Sequence, residues 1–238
     1  MMANYFNVSC RDGLPGRYTI DPLQRWTTAL PPPFVILIHG YNNTKAEAER
    51  SYRRIVGSPH FRDCTLIGFH WPATRLYLRS KRKMEVMRVS LKAFLLNNFT
   101  RDECLNTTIV GHSMGCRLAL RCLTDIAKDS RARVLPIQHL ILWAAAVDED
   151  EISKGKEYYR ATGMVKNVWV MRSEHDTVLR DWFPKGDFAR ALGYGGPVGA
   201  VRPNVRTIDC TSFVSSHSAY WNSATVHEKT KNIIRGTA

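Results

Sequence analysis

Short apolar runs bounded by turn residues alternate with longer amphipathic stretches along most of this chain, the pattern of strands and helices taking turns in a parallel sheet. The alternation begins after Pro31-Pro32-Pro33, a triplet that fits neither a helix interior nor a central strand. Core strands are expected over Phe34 to Ile38, Thr65 to His70, Thr107 to Gly111, His139 to Val147, Asn167 to Met171 and Val205 to Asp209. Helices are expected over Lys45 to Val56, Arg79 to Phe99, Met114 to Lys128 and roughly Ser223 to Ile234. In the long one, Val86, Val89, Leu91, Phe94, Leu95 and Leu96 fall on or near the apolar side. Positions 1–33 read as an N-terminal arm with two antiparallel edge strands, Tyr5 to Cys10 and Arg17 to Ile20, and Trp182 to Asn204 as an irregular loop or small cap. The pattern predicts one α/β domain over 1–238, built on a mostly parallel, doubly wound sheet.

The chemistry concentrates where a strand meets a helix. Thr107 to Gly115 reads strand, then Gly111-His112-Ser113-Met114-Gly115, then helix. A serine on so sharp a turn needs glycines two positions either side, because the strand and helix backbones nearly touch there. The turn would expose the Ser113 hydroxyl and set the Met114 N–H at a helix N-terminus, where a developing oxyanion is stabilised. A second donor should come from the loop after an earlier strand, and His39-Gly40-Tyr41-Asn42-Asn43 follows Phe34 to Ile38 directly. Gly40 allows close backbone approach. Tyr41 would donate through its N–H or, as the rival, through its hydroxyl. The bland alternative is a helix-entry loop with polar caps.

A serine nucleophile requires an imidazole base and usually a carboxylate that fixes the ring's tautomer. Of the histidines after Ser113, His217 lies in a small polar loop past the last strand and is the expected base. His227 falls in the final helix, where a solvated surface residue is expected, and His175 sits beside an acid. Asp176, just past Asn167 to Met171, is the expected acid. Asp148 is the competitor, unless Asp148-Glu149-Asp150-Glu151 is a solvated acidic cap at a helix start. His39 precedes the elbow and reads as a buried imidazole bonded to backbone.

With Ile38 to Thr44, Phe69-His70-Trp71-Pro72-Ala73, the elbow and Ala144 to Asp148 in view, the chain resembles the α/β-hydrolases. Within them it is similar to a poorly characterised bacterial group marked by His-Gly-Tyr-Asn-Asn and His-Ser-Met-Gly. The likeness runs from about Phe34 to Tyr220. It implies Ser113 as nucleophile, His217 as base, Asp176 as acid and Tyr41 with Met114 as oxyanion donors, with Gly40, His112 and Trp71 near substrate. After Trp71-Pro72 that group tends to carry small and acidic residues, whereas this chain has Thr74, Arg75, Arg79, Lys81, Arg82 and Lys83. The departure leaves the triad alone and changes the expected substrate.

Composition narrows the reading. The 238 residues are 44% hydrophobic and 23% charged, as in globular proteins, and the longest apolar run, Leu140 to Val147, is too short to span a bilayer. The start lacks the basic and apolar regions of a secretory signal, so a cytoplasmic location is expected, although a chain without its leader would read the same way. Six cysteines without a Cys-x-x-Cys pair form neither a disulfide scaffold nor a zinc grip, and acyl-enzyme chemistry needs no metal or organic cofactor. A net charge of +13, with Arg79-Ser80-Lys81-Arg82-Lys83 on a helix, favours an anionic partner.

The expected activity is hydrolysis of a small carboxylic ester or thioester. One alternative is a phospholipase or lipase that uses the basic helix 79–88 at an anionic membrane surface. Another is a nucleic-acid-binding protein on a hydrolase fold, disfavoured because no nucleic-acid motif accompanies the charge run. Oligomeric state has no signal in the sequence.

Overall fold

The computed structural model describes residues 4–23, 26, 30–129 and 136–238. Parts of the expected N-terminal arm, positions 1–3, 24, 25 and 27–29, lie outside the described residues, as do 130–135.

Among the described residues eight strands form one sheet: β1 (Asn4–Ser9), β2 (Thr19–Asp21), β3 (Phe34–Ile38), β4 (Thr65–His70), β5 (Thr107–His112), β6 (Ile137–Trp143), β7 (Val165–Arg172) and β8 (Val205–Asp209), in the order β2-β1-β4-β3-β5-β6-β7-β8. Every neighbouring pair is parallel except β1 with β2. The longer helices are α1 (Lys45–Val56), α2 (Tyr77–Asn98), α4 (Met114–Lys128) and α8 (Ala224–Arg235), with short helices α3 (Arg101–Cys104), α5 (Tyr159–Thr162), α6 (Phe183–Asp187) and α7 (Leu192–Gly195). The result is the mostly parallel α/β sheet expected from the alternation of elements.

The central strands are apolar at consecutive positions because both of their faces are covered. Ile36 and Ile38 pack with Leu91 and Phe94 of α2 and with Leu118 and Leu123 of α4. Val35 and Leu37 point the other way, into a core with Tyr52 and Ile55 of α1 and Ile233 of α8. Helix α1 is started by a reciprocal cap: the Thr44 hydroxyl accepts from the Glu47 N–H at 3.2 Å, and the Glu47 carboxylate accepts from the Thr44 N–H at 2.7 Å. All six cysteines are unpaired and buried.

Several boundaries differ from the sequence reading, each for a physical reason. Strand β1 does pair antiparallel with β2, but it is not an edge strand, because its other side pairs with β4. Strand β6 ends at Trp143, and Ala144 to Val147 leave the sheet while staying buried. The small side chains let this segment turn, with Ala144 at a φ of 47°, beneath the turn that carries Ser113. In α2 the buried positions are Ser80, Met84, Met87, Ser90, Leu91, Phe94 and Leu95, which leaves Val86 and Val89 facing solvent. Trp182 to Asn204 contains helices α6 and α7 as well as loop, and a π-helical turn, Val178–Trp182, leads into α6. No helix starts at Asp148 to Glu151: Asp148 forms an antiparallel bridge with Ala191, and turns follow it.

Candidate active site

The loops that leave the C-terminal ends of β3, β5, β6, β7 and β8 meet at one edge of the sheet, where open α/β sheets place their ligands. At the centre is the turn from β5 into α4. Ser113 has φ 56° and ψ −124°, a conformation that a side-chain-bearing residue holds only when its surroundings enforce it. They do so here by contact. A Cβ on Gly111 would stand 2.8 Å from the Cys116 backbone, and one on Gly115 would stand 2.3 Å from the Ile38 carbonyl oxygen. The Ser113 N–H donates to the Trp143 carbonyl at 3.0 Å, and its own carbonyl accepts from Cys116 N–H at 3.0 Å and Ala146 N–H at 3.3 Å. Met114 is the first residue of α4, so its N–H is at that helix's N-terminus.

His217 and Asp176 come from different loops and meet. The His217 Nδ1 lies 2.7 Å from Asp176 Oδ2, and Asp176 Oδ1 accepts from the Leu179 N–H at 3.0 Å. A carboxylate so placed makes Nδ1 the protonated nitrogen of a neutral ring and leaves Nε2 with its lone pair free to accept a proton. The two loops are joined independently, because the Ser173 hydroxyl donates to the Val214 carbonyl at 2.8 Å. His217 lines the same cleft of about 240 Å³ as Ser113, Gly40 and Tyr41. His112 also reaches this loop: its Nε2 is 2.7 Å from the His217 carbonyl oxygen, which can only accept. Burial, reinforced by the nearby His217, pushes the His112 pKa down to about 3, so the ring is neutral and carries its proton on Nε2.

The His39-Gly40-Tyr41-Asn42-Asn43 loop faces Ser113 from β3. A Cβ on Gly40 would lie 2.8 Å from Ser113 Cβ, so only glycine permits this approach. His39 is buried, and its burial holds the imidazole pKa well below the ordinary value. Its Nε2 accepts from the Trp71 N–H at 3.3 Å, which leaves Nδ1 to donate to the Gly40 carbonyl at 2.7 Å. Trp71 stacks on this ring at 5.4 Å and donates its indole N–H to the His39 carbonyl at 2.8 Å. This corrects the expectation that Trp71 lies near substrate. It is buried behind His39, props the loop, and lines neither of the two clefts that contain Ser113. The Tyr41 ring packs edge-on against Tyr77 with centroids 5.4 Å apart.

Asp148 does not meet the imidazole. Its carboxylate lies 3.4 Å from the Arg117 guanidinium. Burial works to raise its pKa while Arg117 opposes that shift. His175 is exposed. His227 departs from the expected solvated position, since it is buried against Phe61 with Nε2 3.2 Å from the Trp221 carbonyl oxygen.

A second, larger cavity of about 470 Å³ opens from Ser113 on the other side of Tyr41. Tyr77, Leu78, Leu179, Trp182, Phe183 and Phe188 give it mainly apolar walls. Residues 178–188 form a strap along its outer side, and Asp187 fastens the strap to the body. The Asp187 carboxylate binds Arg117 at 3.0 Å, Lys81 at 2.5 Å and the Tyr77 hydroxyl. Sequence alone points neither to this buried cluster nor to Arg11, whose guanidinium donates to the Asn43 carbonyl at 2.9 Å. Neither carries a local signal, because the partners lie far apart along the chain.

Among the described residues no helix is long and apolar enough to cross a membrane. An alignment of 171 positions, 28% identical, relates 67% of this chain to the rice (Oryza sativa subsp. japonica) transmembrane and coiled-coil domain-containing protein STS1. The match spans only 24% of that protein's length. The fold is similar to TT1662 from Thermus thermophilus, with a TM-score of 0.53 at 11% identity over 88% of this chain and 90% of that one. It is likewise similar to an esterase from Rhizomucor miehei, with a TM-score of 0.54 at 10% identity over 93% of this chain and 80% of that one. Residues 32–181, well over half of the chain, match the family described as alpha/beta hydrolase of unknown function (DUF900), and the chain belongs to that family.

Proposed function

We propose that the protein is a serine hydrolase that cleaves carboxylic esters or thioesters through an acyl-enzyme on Ser113. The observation that carries the proposal is the 2.7 Å contact of His217 Nδ1 with Asp176 Oδ2, beside a serine held in a strained turn in the same cleft. In the first step His217 Nε2 takes the Ser113 proton as Oγ attacks the acyl carbonyl. The resulting imidazolium is stabilised by Asp176, and it protonates the leaving alcohol or thiol as the tetrahedral adduct collapses. Water then attacks the acyl-serine with the same base, which releases the acid and returns the proton to Ser113.

The oxyanion is received by two backbone N–H groups. One is that of Met114 at the start of α4. The other is that of Tyr41: within a trans peptide the N–H points opposite to the C=O, and His39 holds the Gly40 carbonyl of that peptide at 2.7 Å. The Tyr41 ring is engaged with Tyr77, which favours the amide over the hydroxyl as donor. Each such donor contributes roughly 10² to 10³ in rate. The apolar cavity of about 470 Å³ takes the acyl chain.

Hydrolysis of nitrophenyl esters of increasing chain length tests this. Ser113→Ala should lower kcat roughly 10³-fold or more. Retention of more than a few per cent of wild-type turnover would overturn the assignment.

A further inference from the structure

The mouth of the larger cavity carries an unusual display of apolar side chains. Phe188 is 93% exposed, Trp182 66%, Leu78 64% and Leu76 57%. Three of these, Leu78, Trp182 and Phe188, also line the cavity that reaches Ser113, so the exposed patch and the cavity are continuous. Scattered exposed apolar residues are ordinary on a soluble surface, whereas a cluster around a cavity mouth marks an interaction site.

Phe188 adds a second observation. It caps α6 in the left-handed conformation, φ 56° and ψ 28°, which a bulky aromatic residue seldom adopts. Folding alone gives no reason for the arrangement, since the ring is buried against nothing. The adjoining Asp187, fixed by Arg117, Lys81 and Tyr77, holds the strap and with it the projecting ring.

Cations lie beside this patch. Lys185 lines the cavity, with its ammonium 4.4 Å above the Trp182 ring. On α2, Arg79, Arg82 and Lys83 are exposed and have no ion pair among the described residues. Arg82 lies one helical turn beyond Leu78, on the same side of the helix. Apolar tips with lysine and arginine beside them match a bilayer with anionic headgroups, in which the tips enter the headgroup and acyl boundary while the cations stay at the phosphates. A second copy of the chain is a poor occupant, because each carries a net charge of +13 and would bring the same cations to the contact.

We propose that the rim formed by Leu76, Leu78, Trp182 and Phe188, with Lys185 and the α2 cations Arg79, Arg82 and Lys83 beside it, docks on an anionic lipid surface and turns the Ser113 cavity toward acyl chains held there. The docking does not depend on the hydrolase reading. Only the fate of the lipid rests on it.

The test is sedimentation of the full chain with phosphatidylcholine vesicles, with and without one third phosphatidylglycerol, at low and high salt. It is run on the wild type and on Ser113→Ala, so that binding is read without turnover and a failure of docking is distinct from a failure of hydrolysis. Both proteins should bind the anionic vesicles, and added salt should weaken the binding. Arg79→Ala with Arg82→Ala should lower partition roughly 25-fold, about fivefold per charge. Phe188→Ser with Trp182→Ser should lower it roughly tenfold. Matching circular dichroism and melting temperatures verify that the variants fold. Three results would overturn the proposal: no binding at low salt, equal binding to neutral and anionic vesicles, or rim variants that dissociate a dimer while binding vesicles as the wild type does.

Discussion

The imidazole of His112 holds the main chain of His217, with Nε2 donating to the His217 carbonyl at 2.7 Å. His112 is thereby a positioning residue. It fixes the backbone of the loop whose side chain is oriented by Asp176, and it remains neutral because burial keeps its pKa near about 3. His112→Leu should lower kcat roughly 10- to 100-fold with little change in KM, since a loosened base costs orientation in the transition state. His112→Gln, which restores an N–H donor, should recover much of the loss. Steady-state kinetics on a short nitrophenyl ester check both.

The strap should depend on Asp187. Burial alone would raise its pKa, but Arg117, Lys81 and the Tyr77 hydroxyl outweigh burial and hold it below the ordinary carboxylate value. A carboxylate whose pKa is lower folded than unfolded adds stability above its unfolded pKa, and this is lost as pH falls through the folded one. Asp187→Asn leaves Arg117, itself buried, with only its longer 3.4 Å contact to the Asp148 carboxylate. A loss of roughly 3 kcal/mol in denaturant unfolding is expected at neutral pH.

Five buried imidazoles, those of His39, His70, His112, His139 and His227, should make the fold acid-sensitive, because burial lowers the pKa of each. Burial lowers His112 and His70 to about 3 and His139 to about 4. Their unfolded counterparts take up protons from about pH 6.5 downward, so the unfolded state binds more protons between that pH and the folded values. Stability should be fully present above about pH 6.5 and decline below it by roughly 1.4 kcal/mol per pH unit for each imidazole. His139→Leu should remove one of the five contributions and so flatten the slope by about a fifth. Melting temperature followed against pH is the measurement.

The elbow should tolerate no side chain at Gly115. A Cβ there would meet the Ile38 carbonyl oxygen at 2.3 Å and that of His39 at 2.7 Å, both backbone atoms in the central strand and the loop after it. Gly115→Ala should therefore destabilise the fold by at least about 3 kcal/mol or prevent recovery of folded protein, as thermal unfolding would reveal. Gly155→Ala tests a different kind of site. That glycine has open space around it but a φ of 88°, so only backbone strain of roughly 1 kcal/mol is expected.

How much of this was legible in the sequence follows from what each feature depends on. The turn at Ser113 shows because its glycines are demanded locally, two residues either side of the serine. The central strands show because burial on both faces leaves continuous apolar runs. Ala144 to Val147 was misread as strand, since apolar periodicity does not distinguish a buried turn from a sheet. His227 was misread as solvated because its helix is amphipathic and its burial is set by Phe61 and Trp221. Neither the Asp187 cluster nor the prop of Trp71 on His39 was visible, because each joins residues that only the folded sheet brings together. The choice between Asp176 and Asp148 stayed open on the same ground. Two strand-end carboxylates look alike until the fold brings one to His217 and the other to Arg117.

The central claim is that the Ser113 hydroxyl is a nucleophile activated by His217. Its most direct measurement is reaction of the folded protein with a fluorophosphonate, with the adduct mapped by peptide mass spectrometry. A single adduct on Ser113 is expected, absent from His217→Ala and from the heat-unfolded wild type. An unlabelled Ser113 in the folded protein, or labelling that persists without the imidazole, would contradict the claim.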